Sequence, residues 1–211
     1  MRRVALQLLA FLALFAAPGA RADEIEIAHA RLEAGEEGLA LHADFAFEFN
    51  ARLADAVKGG VPLYFVVDFE LTRPRWWWFD EKTATKRNQL KLSYHPLSRQ
   101  YRLASGVIQQ SFGSLDEALQ VLRRVRNWIV VERSAPLQDG VYEAAVRIRL
   151  DLTLLPKPFQ VSALTSRDWH LESGWKRFTY RNPAQSPAVD PAEAPRKDTR
   201  REDARREDAE K

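Results

Sequence analysis

Three long stretches of this chain alternate apolar and polar residues with a period of two, which is the pattern of half-buried β-strands. The longest covers residues 142–154, where every second position is apolar and charged residues such as Glu143 and Arg147 lie between them. The other two cover 39–49 and 63–71. A chain dominated by this pattern is predicted to be mainly antiparallel β, in a sandwich-like single domain.

Shorter patterns complete the predicted secondary structure. Further strands are predicted at 25–32, 90–94, 101–104, 107–112 and 178–180. One short helix is predicted over 51–57. A second, amphipathic helix is predicted over about 114–127, because Ser114 followed by Glu117 forms a capping box and apolar residues then recur at helical spacing as far as Val125. This helix is expected to pack on an edge or end of the sandwich.

The N-terminal segment, residues 1–22, has the three parts of a secretion signal. Arg2 and Arg3 precede fourteen residues, 4–17, that are apolar except for Gln7, and Ala20-Arg21-Ala22 is a small-x-small cleavage site. The apolar run is shorter than the roughly twenty residues that span a bilayer. We therefore expect cleavage after Ala22 and export to the periplasm, with a retained membrane anchor as the alternative.

The overall charge of +3 and the isoelectric point near 9.3 come largely from this leader. Without Arg2, Arg3 and Arg21 the chain keeps 29 basic and 29 acidic residues. A balanced domain lacks the basic footprint of a nucleic-acid binder, so no nucleic-acid partner is expected.

The C-terminal segment, residues 182–211, differs in composition from the β-rich domain over 23–181. Proline recurs every fourth residue from Pro183 to Pro195, and the string Arg-Arg-Glu-Asp-Ala then occurs twice in tandem. Such a segment has almost nothing to bury, so it is predicted to be a disordered tail.

Cysteine is absent from the sequence, which excludes disulfides, a disulfide-linked partner, thiolate metal sites and a cysteine nucleophile. No nucleophile elbow, phosphate-binding loop, dinucleotide fingerprint or His-Glu-x-x-His string is present. We therefore expect no cofactor and no enzymatic activity of a known motif class.

The string Arg73-Pro74-Arg75-Trp76-Trp77-Trp78 is the most unusual in the sequence. Tyr, Trp and Arg dominate the energetics of binding surfaces, so Arg73, Arg75, Trp76, Trp77 and Trp78 are the candidate binding residues. The alternative is a structural role, with Trp77 in the core and the other rings covering a strand end. Trp169 and Trp175, near the end of the domain, are predicted to pack in the core.

The histidines do not predict a metal site. His29 and His42 lie on neighbouring predicted strands, and the register that pairs Ile27 with Phe45 places them on opposite faces of the sheet. His95, immediately before Pro96, is expected to stabilise a turn.

Three carboxylates, Asp68, Glu70 and Asp151, are expected on outward strand faces near Arg147 and Arg149. Two acids held about 5–10 Å apart are the machinery of glycoside hydrolysis. Cross-strand ion pairs are the more ordinary role of such residues, so an unrecognised hydrolase is the least favoured class.

Several unusual strings occur in order along 60–173, including Arg73-Pro74-Arg75-Trp76-Trp77-Trp78-Phe79-Asp80, Leu92-Ser93-Tyr94-His95-Pro96-Leu97-Ser98 and Leu155-Pro156-Lys157-Pro158-Phe159-Gln160. Together they resemble the exported proteobacterial family catalogued as domain of unknown function 4390. The resemblance implies an accessory role linked to a membrane sensor kinase. The resulting hypothesis is a periplasmic binding protein that recognises an envelope protein partner through the Arg/Trp-rich surface, with a small-ligand or glycan binder using the same tryptophans as the alternative.

Overall fold

The computed structural model describes residues 25–74, 81–135 and 137–183, and within these ranges nine strands form two antiparallel sheets. A three-stranded sheet has the order β1-β2-β7, and a six-stranded sheet has the order β6-β5-β4-β3-β8-β9. The strands are β1 Glu26–Ala34, β2 Gly38–Ala46, β3 Leu63–Arg73, β4 Glu81–His95, β5 Gln100–Ser105, β6 Ile108–Phe112, β7 Arg124–Glu132, β8 Gly140–Leu150 and β9 Lys176–Asn182. The prediction of a mainly antiparallel β fold is confirmed.

The two sheets share one hydrophobic core. Leu41 and Phe45 of β2 belong to the same buried cluster as Phe65 and Val67 of β3 and Ile148 of β8. Each of these side chains comes from the apolar parity of its strand, so the period-two pattern of the sequence marks the face that each strand buries. The result is a sandwich-like arrangement with one core.

Strand β3 lies at the centre of the six-stranded sheet, between β4 and β8. Its predicted inward residues, from Leu63 to Leu71 at every second position, are all fully buried. Two residues of the opposite parity, Val66 and Asp68, are also buried, at 2% and 6% exposure. Asp68 accepts hydrogen bonds from side chains of both neighbouring strands, and Val66 lies opposite Gln89 and Arg149 in the same two strands, which a pattern within one strand cannot reveal.

Several strand boundaries differ from the prediction: strand β2 ends at Ala46 and not at residue 49, and strand β7 was not predicted. Strand β4 begins at Glu81, nine residues before the predicted 90–94 stretch. Strand β8 ends at Leu150, because a 3-10 turn occupies Leu152–Leu154 and the Asp151 carboxylate accepts hydrogen bonds from the Thr153 backbone N–H and hydroxyl.

Three α-helices are present in the described residues: α1 Ala51–Lys58, α2 Leu115–Leu122 and α3 Lys157–Thr165. Helix α1 matches the prediction and begins where the Asn50 side chain accepts a hydrogen bond from the Leu53 backbone N–H. Helix α3 was not predicted. A second 3-10 turn, Arg167–Trp169, follows it.

The predicted helix over 114–127 was too long. Helix α2 ends at Leu122, and from Arg124 the chain is strand β7, which pairs with β2. Val125 is buried, but it is a strand residue opposite Ala43. Its position fits both a helical stripe and a strand face, and pairing with β2, some 80 residues earlier in the chain, determines which one forms.

The predicted register of β1 against β2 was correct at Ile27 and Phe45 but wrong beyond it. A register shift between Ile27 and His29 pairs His29 with Asp44 and Arg31 with His42. The two histidines therefore lie on the same outward face, not on opposite faces. His42 Nε2 lies 3.2 Å from Glu33 Oε2. Among the described residues, no group of three or more His, Asp or Glu is placed to hold a metal ion.

Removing the cap of α2 is expected to cost about 1 kcal/mol of the free energy of unfolding. Ser114 Oγ accepts a hydrogen bond from the Glu117 backbone N–H at 3.2 Å, and the Glu117 carboxylate accepts one from the Gly113 N–H at 3.1 Å. Ser114→Ala leaves the first of these N–H groups without its partner. Urea unfolding would measure the loss, with the exposed Ser111→Ala as the control; equal stability of the two variants would contradict the role of the cap.

Among the residues that the structure describes, no helix combines the length and the apolar character that crossing a membrane requires.

Candidate binding site at one end of the sandwich

Arg73, the last residue of β3, is fixed at one end of the sandwich. It pairs in register with Glu81, the first residue of β4, so the segment 74–80 connects two adjacent strand ends. The Arg73 guanidinium donates hydrogen bonds to the Gln138 side-chain oxygen and to the Asp139 backbone oxygen, the latter at 3.5 Å. A side chain from the central strand thus holds the connection that leads into β8.

This connection is held by two further side chains. The Tyr142 hydroxyl donates to the Gln138 backbone oxygen at 2.9 Å, and the Asn182 amide donates to the same oxygen at 3.2 Å. Tyr142 is itself buried in the core. Side chains of β3, β8 and β9 therefore hold the backbone of Gln138 and Asp139, against which the end of β3 lies.

An open cavity of about 430 Å³ lies at the same end. Leu39 and Val131 line it from the three-stranded sheet, and Leu137 and Asn182 line it beside the Arg73 contact. The turn between β1 and β2 also lines it, and this turn is tied to β7 because the Arg133 backbone N–H donates to the Glu37 oxygen at 3.0 Å. Its size is within the range of small-molecule pockets.

Of the predicted binding residues, the structure places Arg73, half-buried, at this end of the fold. Arg75, Trp76, Trp77 and Trp78 lie outside the described residues, so their binding and core roles both remain predictions. Chain connectivity fixes only where the segment is attached, between the paired residues Arg73 and Glu81.

Asp68 forms a second polar cluster, on the outward face of the six-stranded sheet. It lies opposite Arg87 of β4 and Arg147 of β8 in the strand register. Its carboxylate accepts hydrogen bonds from Arg87 Nε at 2.8 Å, from Arg147 Nε at 3.0 Å and from Arg149 Nε at 3.4 Å. The expected outward position of Asp68 and its expected cross-strand ion pairing are both confirmed, and the carboxylate is buried to 6% exposure among the three guanidiniums.

The charge state of Asp68 follows from this geometry. Burial raises the pKa of its carboxyl, but the hydrogen bonds and positive charges of Arg87 and Arg147 outweigh burial and hold that pKa below its ordinary value. Asp68 is therefore ionised at neutral pH and acts as the common acceptor of three guanidiniums.

The other two carboxylates have separate contacts. Glu70 Oε1 lies 3.2 Å from Lys82 Nζ. Asp151 caps the first 3-10 turn. Neither residue, nor Asp68, is among those that line the described cavities. The three acids predicted as a possible hydrolytic set thus make three independent structural contacts.

A second open cleft, also of about 430 Å³, lies between α1 and α3 at the other end of β3. Trp169 is only 1% exposed and packs edge-on against Phe159 with ring centroids 5.5 Å apart, which confirms its predicted core role. The Arg52 guanidinium lies 5.9 Å from the Trp169 ring and donates to Ser162 Oγ at 3.3 Å. This contact could not be predicted from the sequence, because α3 was not predicted.

His95 and Trp175 complete the set of predicted residues. Ser98 donates from its backbone N–H to His95 Nδ1 at 3.3 Å, and the Ser98 hydroxyl lies 3.0 Å from the same atom, so His95 stabilises the turn as expected. The predicted core role of Trp175 was wrong: this side chain is only half-buried and is absent from the hydrophobic core, and the Arg147 guanidinium lies 4.6 Å from its ring centroid.

The described residues form a small, mainly antiparallel β domain with two sheets and three α-helices. A family model described as "Domain of unknown function (DUF4390)" matches residues 22–179. The chain belongs to this family. No curated protein and no solved structure matches the chain.

Proposed function

We propose that this protein is an exported, periplasmic binding module that recognises another envelope protein through Arg73 and the adjoining residues Arg75, Trp76, Trp77 and Trp78. It acts by binding and not by catalysis. The accessory role beside a membrane sensor kinase that the family resemblance implies is one form of this function.

The observation that carries the proposal is the fixation of Arg73. Its contacts with Gln138 and Asp139 hold the start of the segment against backbone that Tyr142 and Asn182 also hold. A recognition segment attached to a rigid support loses less conformational entropy on binding than one attached to a mobile strand end. Three consecutive tryptophans bring a large contact area to such a support.

The export component rests on the sequence of the leader. Its charged start, its apolar run and its small-x-small end are all present in order. The family match begins at residue 22, where the predicted leader ends, which is consistent with a domain that functions after cleavage.

The proposal predicts that Trp76→Ala/Trp78→Ala abolishes partner capture without loss of stability. Truncating two central aromatic residues of an interface typically costs 2 kcal/mol or more each, which weakens binding by about a thousandfold. The measurement is affinity capture from an envelope extract, with bound proteins identified by mass spectrometry. The matched control is Val107→Ala/Ile108→Ala, which shortens two exposed apolar side chains in β6 and its preceding turn.

A protein recovered by wild type and control but lost from the tryptophan variant supports the proposal. If the three proteins recover the same set, the segment does not recognise a partner. The cavity lined by Leu137 and Asn182 favours the second candidate, a small-ligand or glycan binder. That candidate replaces the first if cell-wall fragments raise the melting temperature of wild type, but not of the tryptophan variant, while no partner is captured.

A further inference from the structure

Strand β6 is an edge of the six-stranded sheet, and among the described residues its outer side has no partner. Its residues 108–111 are all exposed. Beyond its ladder with β5, β6 forms no hydrogen bond with any other described residue. An unpaired strand edge presents a row of N–H and C=O groups to which another strand can bind. The chemistry of this surface therefore specifies an extended strand as its occupant.

The turn before β6 shows which backbone groups face the open side. A two-residue turn, Gly106–Val107, joins β5 to β6, and its first residue has a φ of 57°, as in a type II′ turn. The pair that flanks such a turn, Ser105 and Ile108, is hydrogen-bonded, and hydrogen-bonded pairs alternate along an antiparallel ladder. The groups that point to the open side are therefore the N–H and C=O of Gln109 and Ser111.

In the described part of the chain, the other three strand edges have features that oppose pairing with a further strand. Strand β9 has three cations among its seven residues, Lys176, Arg177 and Arg181. The Lys176 ammonium also donates to the backbone oxygens of Ile27 and Ala28 in β1, which has a register shift after Ile27. Strand β7 has two register shifts and three charged residues. Strand β6 has no charged residue, no proline and no register shift, so it lacks these protective features.

The backbone of β6 is complementary to itself in antiparallel pairing. When a two-fold axis passes through Gln110, Gln109 of one copy lies opposite Ser111 of the second copy. These are the two residues whose N–H and C=O groups face the open side, so each such pair exchanges two hydrogen bonds. Gln110 then lies opposite itself in the closer, non-hydrogen-bonded type of pair.

The side chains fit the same register. Ile108 lies opposite Phe112 of the second copy, so an aliphatic side chain that is 63% exposed in one copy meets an aromatic ring. Just outside β6, the fully exposed Val107 lies opposite Gly113, which has no side chain to obstruct it. The register thus covers the exposed apolar residues of this edge.

A second copy of the chain is the occupant that these side chains favour. In the two-fold register the apolar side chains of β6 meet apolar ones, the polar side chains meet polar ones, and no charge is left without a partner. A five-residue edge buries less than the roughly 800 Å² that each partner of a stable complex buries. The dimer is therefore weak and forms at high protein concentration.

We infer that β6 is a dimerisation edge, at which two copies join their six-stranded sheets in antiparallel orientation about a two-fold axis at Gln110. The inference is independent of the proposed function, because β4 and β5 separate β6 from β3, the strand that ends at Arg73.

The test is sedimentation equilibrium of the protein, expressed with its own leader and purified in solution, from about 10 μM to about 1 mM. Wild type is expected to shift from monomer toward dimer across this range. Gln109→Pro is expected to abolish the dimer, because it removes an N–H from the open side and places a ring there. Proline is tolerated at an edge position whose N–H faces solvent, so the far-UV circular dichroism of this variant should match that of wild type.

A charge exchange at the two-fold axis identifies the occupant as a second copy. Gln110→Lys places two like charges opposite each other, and so does Gln110→Glu, so each variant alone should weaken dimerisation by at least about tenfold. An equimolar mixture of the two variants pairs opposite charges and should dimerise at least as strongly as wild type. The matched control is Gln89→Lys, at an exposed position of β4, which should dimerise like wild type.

A wild type that stays monomeric at every concentration overturns the inference. So does a dimer that Gln109→Pro leaves intact, or one that the mixture of the two Gln110 variants fails to restore. A monomeric wild type whose capture of an envelope protein is lost in Gln109→Pro would assign the edge to a strand of another protein, which also overturns it. Capture through the tryptophan segment is measured separately, and Val107→Ala/Ile108→Ala should keep that capture even where its dimer is weakened.

Discussion

Phe65→Ala is expected to lower the free energy of unfolding by about 3–5 kcal/mol, the largest effect of any single truncation considered for this fold. Phe65 is fully buried in the central strand, and its ring centroid lies 6.1 Å from that of Phe47 and 5.9 Å from that of Phe49, which are themselves 6.2 Å apart. Alanine removes the ring from both contacts at once and leaves a cavity that the rigid sheet cannot close. Urea unfolding followed by circular dichroism measures the loss.

Phe65→Leu separates the volume of this side chain from its aromatic character. A leucine keeps most of the buried volume, so the change of shape should lower the free energy of unfolding by less than about 1.5 kcal/mol. Loss of the aromatic contacts should add about 1 kcal/mol. Val107→Ala, at a fully exposed position, should change stability by less than about 0.5 kcal/mol. A loss for Phe65→Ala no larger than that of the leucine variant would mean that the three phenylalanines do not form the packed unit described.

Asp68→Asn is the second large effect, with an expected loss of about 2–3 kcal/mol. The change removes the anion that Arg87, Arg147 and Arg149 share and leaves three cations close together. Removing one partner of a fully buried ion pair lowers the free energy of unfolding by roughly 3–5 kcal/mol. We expect a smaller loss here because the three arginine side chains are between 24% and 64% exposed, so water partly screens their charges.

The pH dependence of this loss has a defined sign. Because the pKa of Asp68 is lowered in the fold, its contribution is present above the ordinary aspartate pKa of about 4 and is lost as the pH falls through the lower folded value. The difference between wild type and Asp68→Asn should therefore be constant near neutrality and shrink in acid. Glu70→Gln breaks the exposed pair with Lys82 and should cost less than about 1 kcal/mol. A pH-independent difference would show that Asp68 contributes by shape and not by charge.

The three long period-two patterns predicted strands β2, β3 and β8, whose inner faces are apolar. Strand β4 shows why another predicted strand was too short. Its inward positions include Leu90 and Leu92, but the earlier inward positions are Lys86 and Asn88, which are half-buried and make polar contacts. Lys86 Nζ reaches Glu132 of the other sheet at 3.1 Å. An inner face completed by an ion pair between sheets has no hydrophobic period, so a pattern search stops at Leu90.

The candidate site was predictable only in part. The string that begins at Arg73 is unusual in composition, and this alone marked it as a binding candidate. Its support depends on Gln138 and Asp139, 65 and 66 residues later in the chain, and no local pattern connects them. Helix α3 was missed for a related reason: it buries one side chain, so the helical stripe that reveals α2 is absent from its sequence.

The interleaved order of the two sheets determines how this chain can acquire its structure. Strand β2 acquires its partner β7 only after β3 to β6 have been made, and β3 lacks β8 until still later. Neither sheet can be completed from the first half of the chain, so loop-closure entropy must be overcome before the long-range contacts compensate for it. Such high contact order places folding in the millisecond-to-second range typical of all-β domains. It also makes the domain one cooperative unit, in which a truncation after β6 would leave both sheets with unpaired edges.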